Sequence, residues 1–134
     1  MKKSSKIVVF LKGKLLLVRR RKDRKWTLPG GHRTNAAETA ADCARRELLE
    51  ELPKVRVSSL KRWLTVHRTK SDGSVKRQTV FVAPKAAGAL VVGDKRELDR
   101  AAWKNPAKLK LTRVARYVMS RLHLRLPRLR REET

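Results

Sequence analysis

The sequence predicts an α/β fold in which a mixed β-sheet and helices pack in layers. Runs of β-branched residues separated by turn signals predict hairpins over residues 6–20 and 55–83. An apolar stripe with helical spacing lies between these hairpins, and a second one follows them at residues 111–124. Hairpins combined with a strand–helix–strand crossover imply a mixed sheet and not a doubly wound parallel one.

The size and composition indicate a single domain over residues 1–134. The chain is 40% hydrophobic, which is enough for a core. No run approaches the roughly 18 apolar residues of a membrane span, and Lys12 and Lys14 interrupt the apolar patch near the N-terminus. Cys43 is the only cysteine, so no intrachain disulfide can form and a cytoplasmic location is predicted. Residues 127–134 are predicted to be a frayed basic tail.

The first third of the chain is predicted to form a hairpin and a close bend. Residues 6–11 (KIVVFL) and 14–20 (KLLLVRR) are the predicted strands, joined by a turn at Lys12-Gly13. A basic loop then leads to residues 26–31 (WTLPGG). Their Pro-Gly-Gly bend allows the backbone to approach a ligand closely.

A helix is predicted to start within residues 34–38. Thr34 or Asn35 would be its N-cap, and Glu38 would lie in the first turn, where the helix dipole favours a negative charge. Pro53 would end the helix. Small residues followed by larger ones supply its apolar stripe: Ala37, Ala40, Ala41, Ala44, Leu48 and Leu52.

The second half of the chain is predicted to contain a hairpin, a further strand and a helix. Residues 55–67 predict one long or broken strand, and residues 71–74 (SDGS) predict the turn that leads to a strand at 75–83. The remaining predicted elements are a loop at 84–96 with room for a short strand at 89–92, a strand at 98–103 and a helix at 111–124.

Negative charge is concentrated in one segment of an otherwise cationic chain. The formal net charge is +24, with 36 basic and 12 acidic residues, yet five of the acidic residues fall within residues 38–51. Glu47, Glu50 and Glu51 would share one face of a helix, because residues three and four apart are neighbours. Carboxylates this close repel each other unless a cation such as Mg²⁺ lies between them. The competing interpretation is a solvated face with ion pairs such as Asp42 with Arg46.

The same segment resembles the signature of the Nudix hydrolases. That signature runs Gly, five residues, Glu, seven residues, then Arg-Glu-aliphatic-x-Glu-Glu-x-Gly-aliphatic, and Glu38 and residues 46–51 (RELLEE) match it without a gap. Residues 26–31 resemble the segment that usually precedes it, and Glu97-Leu98 before Trp103 resembles a weaker family pattern. The resemblance implies a Nudix-type α/β/α sandwich with a mixed β-sheet between helices.

This chain departs from the family signature at three points. Six residues instead of five separate Gly31 from Glu38, so the loop between them carries one extra residue. Pro53 and Lys54 stand where the signature has Gly and an aliphatic residue. The last two changes affect only the exit of the helix, whereas the extra loop residue bears on where Gly30 and Gly31 lie relative to a metal.

The resemblance also implies a role for each residue of the site. The metal ligands would be Glu47, Glu50, Glu51 and a backbone carbonyl of Gly30 or Gly31, with Mg²⁺ as the expected ion and Mn²⁺ as a substitute. The catalytic residues would be Glu47, Glu50, Arg46 and Glu97. Arg46 would orient a neighbouring glutamate, and Glu38 would brace the loop. The identity of the general base stays open, and Glu97 has the competing interpretation of an ordinary charged loop residue.

Basic and aromatic residues near the predicted site are candidates for binding substrate. They are Arg20, Arg24, Trp26, His67 and Arg77. Trp26 and Trp63 could stack on a nucleobase, and the competing interpretation is that both pack in the core.

The predicted function is Mg²⁺-dependent hydrolysis of a diphosphate linkage in a nucleoside diphosphate linked to another moiety. Nucleoside triphosphates, dinucleoside polyphosphates and nucleotide sugars all fit this description. Residues 19–31 also resemble Nudix enzymes that cleave diphosphoinositol polyphosphates. A further alternative is a non-catalytic Nudix domain that binds RNA or another polyanion, or docks an acidic partner, through its basic surface. The expected partners are therefore a small-molecule substrate, nucleic acid or polyphosphate, and a second copy in a homodimer.

Overall fold

The computed structural model describes residues 1–125, so the predicted tail at 127–134 lies outside the described residues. The elements in chain order are β1 (Lys2–Leu11), β2 (Lys14–Arg20), β3 (Trp26–Thr27), β4 (Gly30–His32), α1 (Ala40–Glu51), β5 (Arg56–Val57), β6 (Lys61–Thr69), β7 (Val75–Ala83), β8 (Ala86–Ala87), β9 (Leu98–Lys104), a 3₁₀ turn (Pro106–Lys108) and α2 (Arg113–Arg125). No helix of this part of the chain is long and apolar enough to cross a membrane.

A seven-stranded mixed sheet forms the centre of the described structure. β1 runs parallel to β7 and antiparallel to β2, and β6 pairs antiparallel with β7. The parallel pair requires a crossover, which the segment containing α1 and β6 provides. The predicted mixed sheet is therefore confirmed.

The sheet opens at one end because β1 and β2 stay together only near their turn. They pair at Phe10 with Leu15 and at Leu11 with Lys14. Beyond these pairs β1 bonds to β4 and β2 bonds to β3, whereas β9 pairs with β2 along its length from Leu15 to Arg20. The separation of β1 from β2 creates a cleft between the two parts of the sheet, and β3 and β4 line it.

Two hydrophobic cores cover the two faces of the sheet. On one face Ile7 and Val9 of β1 pack with Ala44 and Leu48 of α1. On the other face Val8 of β1 packs with residues of α2. Successive side chains of a strand point to opposite faces of the sheet. Where both faces are covered, consecutive residues are therefore apolar. This explains the continuous apolar runs within β1 and β2. The predicted α/β/α sandwich is confirmed.

The predicted start of the first helix was wrong. α1 begins at Ala40, and its N-cap is Thr39, whose hydroxyl accepts a hydrogen bond from the Asp42 amide at 3.1 Å. The Asn35 side chain instead closes a separate turn, because its Oδ1 accepts the amides of Ala37 at 2.9 Å and Glu38 at 3.0 Å. Such local side-chain bonds compete with a helix, so Glu38 precedes the helix and does not lie in its first turn.

Two other boundaries also differ from the predictions. The short strand expected at 89–92 is instead Ala86–Ala87, which pairs with Arg56–Val57. Leu90 and Val92 pack on the core without a partner strand, so their hydrophobicity reflects burial and not β-pairing. α2 begins at Arg113 and not at residue 111. The break between β5 and β6 is one of the two alternatives that the sequence predicted for residues 55–67.

Candidate metal and active site

The Pro-Gly-Gly bend brings backbone directly against the acidic end of α1. Gly30 has a φ of +142°, which side chains rarely tolerate, and a Cβ there would overlap the carbonyl of Ser5. A Cβ on Gly31 would overlap the carboxylate of Glu47. Gly30 is therefore required by its conformation, whereas a side chain at position 31 would displace the carboxylate of Glu47.

Glu51 lies at the buried base of this contact, with 7% of its surface exposed. The Gly30 amide donates a hydrogen bond to its Oε1 at 2.8 Å. Burial raises the pKa of Glu51 to about 7, although the charge of Lys6 and the Gly30 hydrogen bond oppose the rise. The carboxylate is thus held in an environment that favours its protonated form unless a cation joins it.

Glu47 is half-buried beside it. Burial raises the pKa of Glu47, the negative charge of Glu50 raises it further, and Glu97 adds a smaller effect. The charges of Glu47 and Glu97 also raise the pKa of Glu51. Glu47 therefore lies close enough to Glu50, Glu51 and Glu97 for their charges to repel, as the acidic segment predicted for the three glutamates of the helix.

Arg46 connects the helix to the loop that precedes it. Its Nε and Nη2 donate to the two oxygens of Glu38 at 2.7 and 3.1 Å, and its Nη1 donates to Glu47 and Glu50, both at 3.1 Å. Its Nη2 also donates to the His32 carbonyl at 2.8 Å. The hydrogen bond from Arg46 lowers the pKa of Glu38 to about 2. Arg46 thereby fixes the positions of three carboxylates relative to the Gly31 segment.

The loop with one extra residue is closed by hydrogen bonds to the side chains of Glu38 and Asn35. Glu38 accepts a hydrogen bond from the Thr34 amide at 3.1 Å, and the Asn35 turn takes up the chain between them. Gly31 still lies against Glu47. The geometry is compatible with the predicted bracing role of Glu38.

Two of these carboxylates, Glu51 and Glu97, border a cleft of about 390 Å³ at the place where β1 and β2 separate. Glu51 and Gly30 lie on one side of it and Glu97 on the other, with Lys6 and Arg20 between the strands. Glu97 is therefore brought to the cleft, and its effect on the pKa of Glu47 and Glu51 places it near them.

The donor set fits a hard divalent cation, although it is not already gathered around one. Within residues 1–125 no three His, Cys, Asp or Glu side chains converge closely enough to hold a metal ion as they stand. Two of the candidate ligands, Glu47 and Glu50, instead accept hydrogen bonds from Arg46. Oxygen ligands with unbalanced negative charge beside an approachable backbone are what Mg²⁺ or Mn²⁺ requires.

The predicted substrate-binding residues are only partly brought together. Arg20 lines the cleft. Arg24 points to Asp99, 3.5 Å away, with 69% of its side chain exposed. Trp26 is only 5% exposed and is buried in the core on the α2 face, so little of its ring is left for a nucleobase. The structure therefore favours the packing interpretation of Trp26.

His67 and Arg77 lie opposite each other on β6 and β7, and neither lines the cleft. Sequence reasoning instead missed Lys6 and Lys76, which line the cleft from β1 and β7. Lys6 directly precedes the apolar residues of β1, and Lys76 is followed by another basic residue, Arg77, so neither lysine stood out from the many basic residues of the sequence.

Comparisons with known proteins agree with this geometry. A family model described as the NUDIX domain matches residues 1–122. The MutT NUDIX hydrolase from Burkholderia pseudomallei is 20% identical with a TM-score of 0.78, covering 89% of this chain and 95% of that one. The E. coli ORF135 protein is 20% identical with a TM-score of 0.74, covering 95% and 94%. A comparison with curated protein sequences finds no match.

A further similar structure is the NUDIX domain of Shewanella oneidensis NrtR, which was solved in complex with ADP ribose. It is 20% identical with a TM-score of 0.76, covering 92% of this chain and 87% of that one. These structures show a shared fold, and the family model extends over nearly all of the described residues. The chain therefore belongs to the NUDIX domain family, as its signature predicted.

Proposed function

We propose that the chain hydrolyses a diphosphate linkage with the help of Mg²⁺ held on α1. One observation carries this proposal: Glu47 and Glu51 meet the backbone of Gly30 and Gly31 at the edge of a cleft. The mutual repulsion of these carboxylates provides a reason for a divalent cation to bind there.

The roles of the protein groups follow from their positions. Glu47, Glu50 and Glu51 would hold the metal, with a carbonyl of Gly30 or Gly31 completing its ligands. A bound Mg²⁺ would supply positive charge that screens the phosphate oxygens and lowers the pKa of a water. Arg46 would keep Glu47 and Glu50 in position.

Two carboxylates are candidates for accepting the proton of the attacking water. Glu97 lies across the cleft and forms no ion pair with another described residue. Glu50 is half-exposed but is held by Arg46 at 3.1 Å. The pH profiles of Glu97→Gln and Glu50→Gln would separate them, because loss of the general base removes the acidic limb of the profile of kcat.

The proposed substrate is a nucleoside diphosphate linked to another moiety. The ADP ribose in the complex of the NrtR domain is a molecule of this kind, and that likeness supports the choice. Diphosphoinositol polyphosphates are the second candidate, because the cleft is lined by Lys6, Arg20 and Lys76 and, among the described residues, by no Phe, Tyr or Trp. A non-catalytic domain that binds a polyanion is the third candidate.

The test is to incubate the purified protein and Mg²⁺ with a panel of diphosphate compounds from the first two classes. We expect the wild type to release a phosphate-containing product, and Glu47→Gln and Glu50→Gln to lower kcat by about a hundredfold or more. Asp42→Asn is the matched control, since Asp42 is exposed on α1 and forms no ion pair with a described residue. Binding of panel compounds without any hydrolysis by the wild type would contradict the proposal and favour a binding domain.

A homodimer and a cytoplasmic location stay predictions. Sedimentation equilibrium of the full chain tests the first, and the mass expected for the predicted state is twice the 15.4 kDa of the chain. Imaging of a fluorescent fusion in cells that produce the chain tests the second.

A further inference from the structure

A second cleft, of about 270 Å³, continues from the first on the α2 side of the sheet. The two clefts share Lys6, Arg20 and Lys76. The second is bordered in addition by Lys25, Arg68, Arg113 and Arg116, and we call it the cationic cleft. Its cations come from β1, β2, β6, β7, α2 and the loop after β2, so only the folded chain brings them together.

No carboxylate among the described residues lines the cationic cleft. Of its seven cations only Arg20 forms an ion pair within residues 1–125, and its partner is Asp23. Like charges gathered in a cleft destabilise the folded state. A bound anion would reduce this repulsion and so stabilise the folded state.

Lys76 shows how strongly the cations act on one another. It is half-buried, and its pKa is lowered to about 8, first by burial and then by the charges of Lys6, Lys70, Arg68 and Lys2. An anion placed among these groups would restore the charged form of Lys76 and reduce the repulsion.

The other lining groups suit phosphate and do not suit a nucleobase. Thr27, Gln78 and Thr112 contribute polar side chains, and the hydroxyl of Thr112 is 2.9 Å from that of Thr27. Within residues 1–125 no aromatic ring lines the cationic cleft. Guanidinium and ammonium groups bind phosphate oxygens through charge-assisted hydrogen bonds, whereas a nucleobase would need a ring or an apolar wall to stack on.

We propose that the cationic cleft binds substrate phosphate groups that are not cleaved, so that the protein prefers a diphosphate attached to a densely phosphorylated group over one attached to a nucleoside alone. The proposal rests on the proposed function for the cleavage step, but the binding of clustered phosphates can be measured without it. Such phosphates could belong to a linear polyphosphate or to a phosphorylated ring, and the chemistry recognised is the same.

The first test measures binding in EDTA, where no hydrolysis can occur. Isothermal titration calorimetry at fixed ionic strength would compare inorganic tripolyphosphate, inositol hexakisphosphate and AMP as ligands of the wild type, Lys76→Gln, Arg116→Gln and Arg121→Gln. Arg121 is the matched control, because it is exposed on α2 but does not line the cationic cleft.

We expect at least one clustered phosphate to bind the wild type at least tenfold more tightly than AMP. Its Kd should rise about tenfold in Lys76→Gln and in Arg116→Gln, and less than twofold in Arg121→Gln. Tighter binding of tripolyphosphate would indicate a linear polyphosphate as the source of the recognised phosphates, and tighter binding of inositol hexakisphosphate would indicate a phosphorylated ring. Equal losses in Arg116→Gln and Arg121→Gln would overturn the proposal, since they would indicate general attraction to a basic surface. Arg116 is exposed, so its variant is expected to fold, which a thermal melt checks.

The second test uses turnover and separates the two proposals. For a substrate with clustered phosphates, Arg116→Gln should raise KM about tenfold with kcat nearly unchanged, because the remote phosphates contribute binding only. For a nucleoside diphosphate substrate the same variant should change KM less than twofold. Equal KM changes for both substrates would overturn the proposal. Binding in EDTA without turnover of either substrate would refute the proposed hydrolysis alone.

Discussion

Replacement of Glu51 by Gln should stabilise the metal-free protein at alkaline pH. Glu51 is buried, and its pKa is raised from the ordinary 4.5 to about 7, chiefly by burial. Gln keeps an oxygen that can accept the Gly30 amide and has no charge to bury. The substitution therefore removes the cost of ionising a buried carboxylate.

The magnitude follows from the pKa. One pKa unit corresponds to about 1.4 kcal/mol, so ionised Glu51 lowers the free energy of unfolding by about 3 kcal/mol at pH values above 7. Between pH 4.5 and 7 the folded protein binds the Glu51 proton more tightly than the unfolded chain does. Stability is thus lost as the pH rises through this window, and the cost disappears below pH 4.5.

The assay is urea denaturation of wild type and Glu51→Gln in EDTA from pH 4 to pH 9. The variant should be about 3 kcal/mol more stable at pH 8, with a difference that shrinks toward zero near pH 4. Added Mg²⁺ should stabilise the wild type more than the variant, because a ligand of the folded state is favoured by mass action. A variant that is less stable at pH 8 in EDTA, or a difference independent of pH, would refute this reasoning.

Three further changes have defined outcomes. Arg46→Lys removes the pair of hydrogen bonds to the Glu38 carboxylate, so kcat should fall at least tenfold while the circular dichroism spectrum stays unchanged. An unaltered kcat would show that this contact does not position the site. Gly31→Ala places a Cβ against the Glu47 carboxylate, so Mg²⁺ affinity measured by calorimetry should fall at least tenfold, and an unchanged affinity would contradict the proposed ligands. Thr39→Ala removes the N-cap of α1 and should lower the free energy of unfolding by about 1 kcal/mol in urea, a loss that would be absent if the helix began near residue 35.

The acidic helix could be predicted from the sequence because its information is local. The spacing of Glu47, Glu50 and Glu51 determines one helical face whatever the rest of the chain does. The hairpins and their turns were predictable for the same reason. The start of α1 was not, because Asn35 and Thr39 are both good N-caps and the side-chain bonds of Asn35 formed a separate turn.

The substrate side of the site depends on contacts that the sequence does not display. Lys6, Lys76 and Arg116 are far apart in the chain and meet only because β1 pairs with β7 and α2 packs on the same face. Trp26 has a large aromatic ring that could stack on a nucleobase, yet packing in the core on the α2 face buries it. Long-range pairing decides such outcomes, and single-residue properties do not.

The central claim is that the carboxylates of α1 bind a divalent cation. Electron paramagnetic resonance of Mn²⁺ titrated into the wild type, Glu47→Gln and Asp42→Asn tests it directly, because free and bound Mn²⁺ give separate signals. We expect the wild type and Asp42→Asn to bind with equal affinity, and Glu47→Gln to bind at least tenfold more weakly. Equal Mn²⁺ binding by all three proteins, or no binding by the wild type, would contradict the claim.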